Sequence, residues 1–286
     1  MSSANATFEV SGTRVPRFLY GTAWKEDDTR RLTELALEQG FRGVDTANQR
    51  RHYHEAAVGQ GIQAAIARGL VRRDELFLQT KFTFRPGQDN RLPYDPAAPI
   101  GDQVRQSFAS SLEHLGVERL DSYVLHGPMR SAGLGPEDWD AWRAMEALQQ
   151  SGAARLLGIS NVSRDQLELL CAQAAVQPSF VQNRCFAVLG WDREVRTVCA
   201  ARGIVYQGFS LLTANREALA HPALAALAQR RQLTRAQLVF RFALDVGMLP
   251  LTGTTDAAHM QQDLQVLQAA PLELDEVRQI EGLLAR

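Results

Sequence analysis

Short apolar runs alternate with longer stretches of helical periodicity along nearly the whole chain. The apolar runs predict strands at Phe18–Thr22, Arg42–Asp45, Leu76–Lys81, Ser122–His126, Arg155–Ser160, Phe180–Arg184, Ile204–Phe209 and Met248–Gly253. Between them, apolar residues recur at roughly i, i+3, i+4, as Leu32, Leu35, Ala36 and Leu37 do within Arg30–Gln39. Val104–Leu115, Ala141–Leu148 and Gln166–Ala174 read the same way. Many of the strands are continuous rather than alternating, as in Leu76-Phe77-Leu78 and Tyr123-Val124-Leu125. A strand apolar on both faces is covered on both, which favours a parallel sheet between helices over a sandwich. Eight strands with helices between them predict an α/β fold, a (β/α)8 or TIM barrel forming a single domain over 1–286. The competing layout is an open doubly wound sheet. Against it, no GxGxxG fingerprint follows the first strand, and the nearest glycine pair, Gly59-Gln60-Gly61, sits in a helical pattern. The stretch Arg85–Ile100, with Pro86, Pro93, Pro96 and Pro99, predicts a long loop on the barrel's active face.

Composition narrows the partners. The 286 residues are 45% hydrophobic and 22% charged, enough apolar material for a sizeable core, so disordered and disulfide-scaffold classes are out. Thirty-one basic and thirty-two acidic residues leave a net charge of -1, so no nucleic-acid partner is expected. No run approaches the roughly 18 apolar residues of a membrane span. The opening MSSANATFEVSG lacks the apolar stretch of a signal peptide. Cys171, Cys185 and Cys199 are odd in number and widely spaced, which predicts buried small hydrophobes in a reducing cytoplasm rather than a metal site.

In a (β/α)8 barrel the chemistry sits where strands end. Those ends carry Asp45, Lys81, His126, Ser160-Asn161 and Gln182-Asn183. Asp45 can equally start a turn, and His126 can equally be a hydrogen-bonded core histidine. Lys81 is more telling, because the chain has only two lysines, Lys25 and Lys81. An ammonium entering an apolar neighbourhood needs a partner such as Asp45.

Taken in order, these residues resemble the aldo-keto reductases. The resemblance runs from an opening hairpin to residue 286 and ends in a short C-terminal tail after a helix at about Asp275–Leu284. Its carriers are Phe41–Ala47, Glu55, Val58-Gly59, Leu78–Lys81, Ser111-Leu112, Leu115-Gly116, Leu125–Pro128, Met145–Leu148, Gly158–Val162, Val181–Asn183 and Gly253-Thr254. The family folds as a (β/α)8 barrel and binds nicotinamide dinucleotides without a Rossmann domain.

The resemblance implies a catalytic tetrad of Asp, Tyr, Lys and His, three members of which match Asp45, Lys81 and His126. Its tyrosine protonates the carbonyl oxygen while hydride passes from the nicotinamide to the carbonyl carbon. A free phenol titrates near about 10, so a neighbouring ammonium is expected to lower that value. The tyrosine position departs from the family spacing, because the segment between Asp45 and Glu55 is longer by several residues. Counting back from Glu55 selects His52; chemistry selects Tyr53, which is the preferred reading, with His52 then lining the substrate pocket beside Trp24.

For the cofactor, the resemblance implies NADP(H), with NAD(H) also possible. Ser160, Asn161 and Gln182 match the carboxamide contacts, and Phe209 stands in the slot of a stacking tyrosine. Ser210 and Leu212 match the pyrophosphate stretch, and Gly21-Thr22 the first turn. At the adenosine end, Gly253, Thr254, His259, Gln262 and Asp263 replace most of a basic pattern that favours NADPH. The expected activity is NAD(P)H-dependent reduction of aldehydes and ketones, with an open pocket of broad range, by a monomer or weak dimer. Two other readings compete. One is a non-catalytic NADP(H)-binding protein on this fold; the other is a metal-dependent hydrolase using His52, His54 and Asp45.

Overall fold

The computed structural model describes residues 6–284. A β-hairpin, β1 (Thr7–Val10) and β2 (Thr13–Pro16), precedes eight parallel strands. These are β3 (Leu19–Gly21), β4 (Gly43–Asp45), β5 (Phe77–Phe82), β6 (Leu120–Leu125), β7 (Ala154–Ser160), β8 (Phe180–Arg184), β9 (Val205–Phe209) and β10 (Met248–Thr252). They close in sequence order, β10 pairing with β3, and helices between them form the outer layer. The architecture is the (β/α)8 barrel expected from the strand pattern.

Period-two alternation along each strand divides the core in two. Outward positions such as Val44, Leu78, Leu125 and Val181 pack against the helices. Inward positions at the strand starts, Leu19, Phe77, Leu156, Phe180 and Leu249, join Val15 of the hairpin in a second apolar cluster. The hairpin therefore seals the bottom of the barrel, and the Phe77 and Phe180 rings meet edge to face there at 5.8 Å.

The Gly59–Gly61 pair has a packing role in the helix Glu55–Ala67. A Cβ on Gly59 would collide with the His114 carbonyl oxygen of the helix Ile100–Leu115, and one on Gly61 would lie 2.8 Å from the Arg30 carbonyl oxygen. Cys171, Cys185 and Cys199 are buried thiols without disulfides. No helix among the described residues is long and apolar enough to cross a membrane.

Candidate active site

Above the apolar plug, the same inward positions turn polar. Asp45 on β4, Gln79 on β5, Gln182 on β8 and Gln207 on β9 are all buried. Their side chains close on one another. Asp45 Oδ1 accepts from Gln79 Nε2 at 2.7 Å and from Gln182 Nε2 at 3.0 Å. Gln207 Oε1 accepts from both glutamines, at 2.7 and 2.9 Å, and its own Nε2 donates to Gln79 Oε1 at 3.0 Å. One strand step higher, Lys81 is fully buried and its Nζ donates to both Asp45 oxygens and to the Thr46 carbonyl, each at 2.8 Å. These three bonds use all three ammonium hydrogens. Burial pulls the Lys81 pKa down, and the Asp45 charge opposes that pull.

A cavity of about 1010 Å³ opens over this layer at the C-terminal ends of the strands. Asp45, Tyr53 and His126 reach its wall, whereas Lys81 lies behind it, bonded to Asp45. The long segment after β4 is absorbed by a tight turn in which the N–H groups of His52 and Tyr53 both donate to the Gln49 carbonyl. Asn48 anchors the turn, donating to the Ser107 carbonyl and to the Ser110 and Ser111 hydroxyls. The turn carries His52 outward, where its ring lies 4.1 Å from that of Trp24 at the rim, and brings Tyr53 back over the barrel. The Tyr53 ring is 5.9 Å from that of His126, and Lys81 Nζ lies 5.2 Å from its centroid.

The Tyr53 hydroxyl has no hydrogen-bond partner among the described residues. Its pKa is pushed up, first by burial and then by the Asp45 charge. This reverses the expected lowering by the ammonium, and the geometry supplies the reason. Lys81 has no hydrogen left for the phenol, and its charge is neutralised by Asp45 at contact distance.

His126 follows β6 and its Nδ1 lies 2.6 Å from Thr83 Oγ1. Burial, then the charges of Lys81 and His52, push its pKa down to about 3. The folded value is below the unfolded one of about 6.5, so the unfolded chain takes up this proton first. The contribution of His126 to stability is therefore complete above about pH 6.5 and is lost progressively as the pH falls toward 3. Urea midpoints for the protein and for His126→Asn are expected to diverge between pH 7 and 4.5, the unsubstituted protein losing more. Parallel curves would contradict the assignment.

The remaining wall is built from strand ends and the loops after them. Gly21, Trp24, Ser160, Asn161, Gln182, Phe209, Ser210, Leu212, Gly253, Thr254, His259 and Asp263 all line it. Besides Lys81, two sequence-selected residues do not. Thr22 is fully buried with its hydroxyl donating to the Asp45 carbonyl, and Gln262 lies outside the lining, its backbone carbonyl accepting from Gln237. Asn161 donates to the His126 carbonyl at 2.8 Å, and Ser160 Oγ donates to the Gln182 carbonyl at 2.5 Å. Because Gln182 Nε2 is held by Asp45 and Gln207, its Oε1 is left to accept from a ligand. Burial pushes the Asp263 carboxyl up to about 6.

Several wall residues were not selected from the sequence, Arg184 among them although it ends β8. Lys25 donates to the Gly253 carbonyl across the mouth, and the exposed Arg184 guanidinium lies 5.7 Å from the Phe209 ring centroid. Thr83, Phe84, Pro86 and Gly87 also line the cavity. Only the start of the Arg85–Ile100 stretch does so, because Gln49 Nε2 donates to the Gly87 carbonyl and Tyr94 donates to that of Thr83, drawing the loop back on the barrel. His52, His54 and Asp45 do not converge, and no cluster of three metal-binding side chains occurs among the described residues.

Comparison with known proteins gives the following. A profile of the Aldo/keto reductase family matches residues 17–285. The chain is 29% identical over 256 residues to aldo-keto reductase AKR2E4 of Bombyx mori, covering 84% of this chain and 77% of that protein. It is 28% identical over 283 residues to the uncharacterized oxidoreductase YtbE of Bacillus subtilis, covering 98% and 92%. Its fold is similar to the crystal structure of Bombyx mori AKR2E4 in complex with NADP, with a TM-score of 0.81 and 26% identity over 98% of this chain and 92% of that one.

Proposed function

The chain belongs to the aldo/keto reductase family, and from that premise we propose that it reduces aldehydes and ketones to alcohols with a bound nicotinamide dinucleotide. The observation that carries the reading is the pairing of the unpartnered Tyr53 hydroxyl with His126 on the cavity wall, directly over the buried Asp45–Lys81 pair. When bound, the dinucleotide would supply a hydride to a carbonyl carbon. Tyr53 supplies the proton to the carbonyl oxygen, and its raised pKa keeps the phenol in the proton-bearing form at neutral pH. His126, held neutral, donates a second hydrogen bond to the same oxygen. Asp45 holds the Lys81 ammonium in place and keeps it from reacting itself.

The wall fits such a cofactor. The Phe209 ring offers a flat apolar face, and Gln182 Oε1 an acceptor for a carboxamide N–H. Ser210, Leu212 and Lys25 line the same cavity, where the Lys25 ammonium can meet a phosphate group. The dinucleotide bound by Bombyx mori AKR2E4, NADP, supports NADP(H) here. The same end of the cavity holds His259 and the buried Asp263 rather than arginine, and a 2′-phosphate needs charge-assisted partners.

A panel of carbonyl compounds assayed with NADPH and NADH, following loss of the reduced nicotinamide, tests the reading. Small aldehydes and α-dicarbonyls are expected to be reduced, with only a modest preference for NADPH. No turnover with any compound would remove the proposed activity. A preference of thousands-fold for NADPH would show that the cations it requires come from outside the residues named.

A further inference from the structure

A histidine can support carbonyl reduction only if the nitrogen facing the substrate carries a hydrogen. Neutral imidazole has one hydrogen and two nitrogens, so something must choose. His126 and Thr83 stand just beyond the paired ends of adjacent strands. Phe82 of β5 is in register with Leu125 of β6, and the His126 N–H donates to the Phe82 carbonyl at 2.9 Å. This register sets Thr83 Oγ1 against His126 Nδ1 at 2.6 Å, with both residues on the cavity wall.

Thr83 is buried, and its hydroxyl has no other partner among the described residues. Its backbone is fixed from the loop side, where its carbonyl accepts from the Tyr94 hydroxyl at 2.8 Å. The Gln88 Oε1 nearby has no partner, so it is not where the threonine hydrogen goes. Among the described residues, the one acceptor within reach of that hydrogen is Nδ1. A hydroxyl donating to Nδ1 requires that nitrogen to be bare, which leaves the single imidazole hydrogen on Nε2, the nitrogen turned away from Thr83.

We propose that Thr83 is a positioning residue that fixes His126 as the Nε2–H tautomer, so that His126 and Tyr53 present two donors to one substrate oxygen. The catalytic part of this role rests on the carbonyl-reductase reading; the tautomer itself does not. In the opposite tautomer Nε2 would be an acceptor. The Tyr53 hydroxyl, its ring 5.9 Å away, would then turn its hydrogen to the imidazole instead of to substrate.

The test joins a spectroscopic measurement on ligand-free protein with kinetics. Long-range proton–nitrogen NMR of protein labelled with ¹⁵N-histidine reports which ring nitrogen of His126 carries hydrogen, the signal being assigned by its loss in His126→Asn. The Nε2–H form is expected in the unsubstituted protein and in Thr83→Ser, and a mixture or the Nδ1–H form in Thr83→Val. Turnover in Thr83→Val is expected to fall about 10–100-fold, the range for loss of a group that orients a reacting histidine, with cofactor affinity unchanged. Thr83→Ser should retain activity near that of the unsubstituted protein. An Nδ1–H signal in the unsubstituted protein, or an Nε2–H signal unmoved in Thr83→Val, would overturn the proposal. If the signal shifts as expected but no carbonyl is ever reduced, the tautomer lock stands and the reductase reading falls.

Discussion

Tyr53→Phe is expected to lower kcat by about 10²–10⁴-fold, the range of a general acid, while cofactor affinity barely changes. The substitution removes one oxygen and keeps the ring, so packing against His126 and over Lys81 is retained. Nothing within reach can replace the hydroxyl. Lys81 has its three hydrogens on Asp45 and Thr46, and His126 cannot release its hydrogen without becoming an anion. The contrast is His52→Phe, which is expected to be mild, altering the rim beside Trp24 and hence substrate fit. Measuring kcat and the cofactor dissociation constant for both variants separates the two residues. Near-normal turnover in Tyr53→Phe with loss in His52→Phe would reverse the assignment.

The second large effect falls on stability. Lys81→Met is expected to destabilise the fold by about 3–5 kcal/mol, because it leaves the Asp45 carboxylate buried without its counter-ion. Gln79 and Gln182 still donate to Asp45, which favours the lower half of that range. The pair acts as a unit, so Asp45→Asn combined with Lys81→Met should cost less than the sum of the single variants. Urea unfolding of the two single variants and the double variant gives the coupling directly. Additive losses, or a loss below about 1 kcal/mol in Lys81→Met, would show that the charges are not interdependent.

Both effects involve residues that the sequence makes visible, and the route to them shows what a pattern can carry. All eight barrel strands stand where the apolar runs predict them, shifted by at most two residues, as with Leu120–Leu125 for Ser122–His126. The shifts arise because ladder hydrogen bonds, not side-chain polarity, end a strand. Asp45, Lys81 and His126 are conspicuous because each closes an apolar run. Gln79 and Gln207 are less so. They sit inside their strands and are exposed as barrel-lining residues only by counting in twos from Lys81 and Phe209.

Residues brought in by loops are harder to read. Thr83 lies one position beyond β5, and only the register of β5 against β6 shows that it meets His126. Lys25, on the loop after β3, is indistinguishable from a surface cation until the barrel closes. The Tyr53 or His52 ambiguity has the same origin. A count of residues cannot say which of two neighbours a turn directs inward; the ring positions do, His52 lying against Trp24 and Tyr53 facing His126. Burial and then the Asp45 charge raise the Tyr53 pKa instead of lowering it, and the ammonium expected to oppose them is held by Asp45 and Thr46.

Hydride transfer in this cavity is tested most directly by isotope. Reduced nicotinamide dinucleotide carrying deuterium on the transferring face of its C4 carbon is supplied with an aldehyde that the protein reduces, and the alcohol is examined by mass spectrometry and NMR. The expected result is one deuterium on the carbinol carbon, none exchanged with water, and almost no labelled product from Tyr53→Phe. An alcohol formed without deuterium, or labelled product forming as fast in Tyr53→Phe as in the unsubstituted protein, would contradict the account.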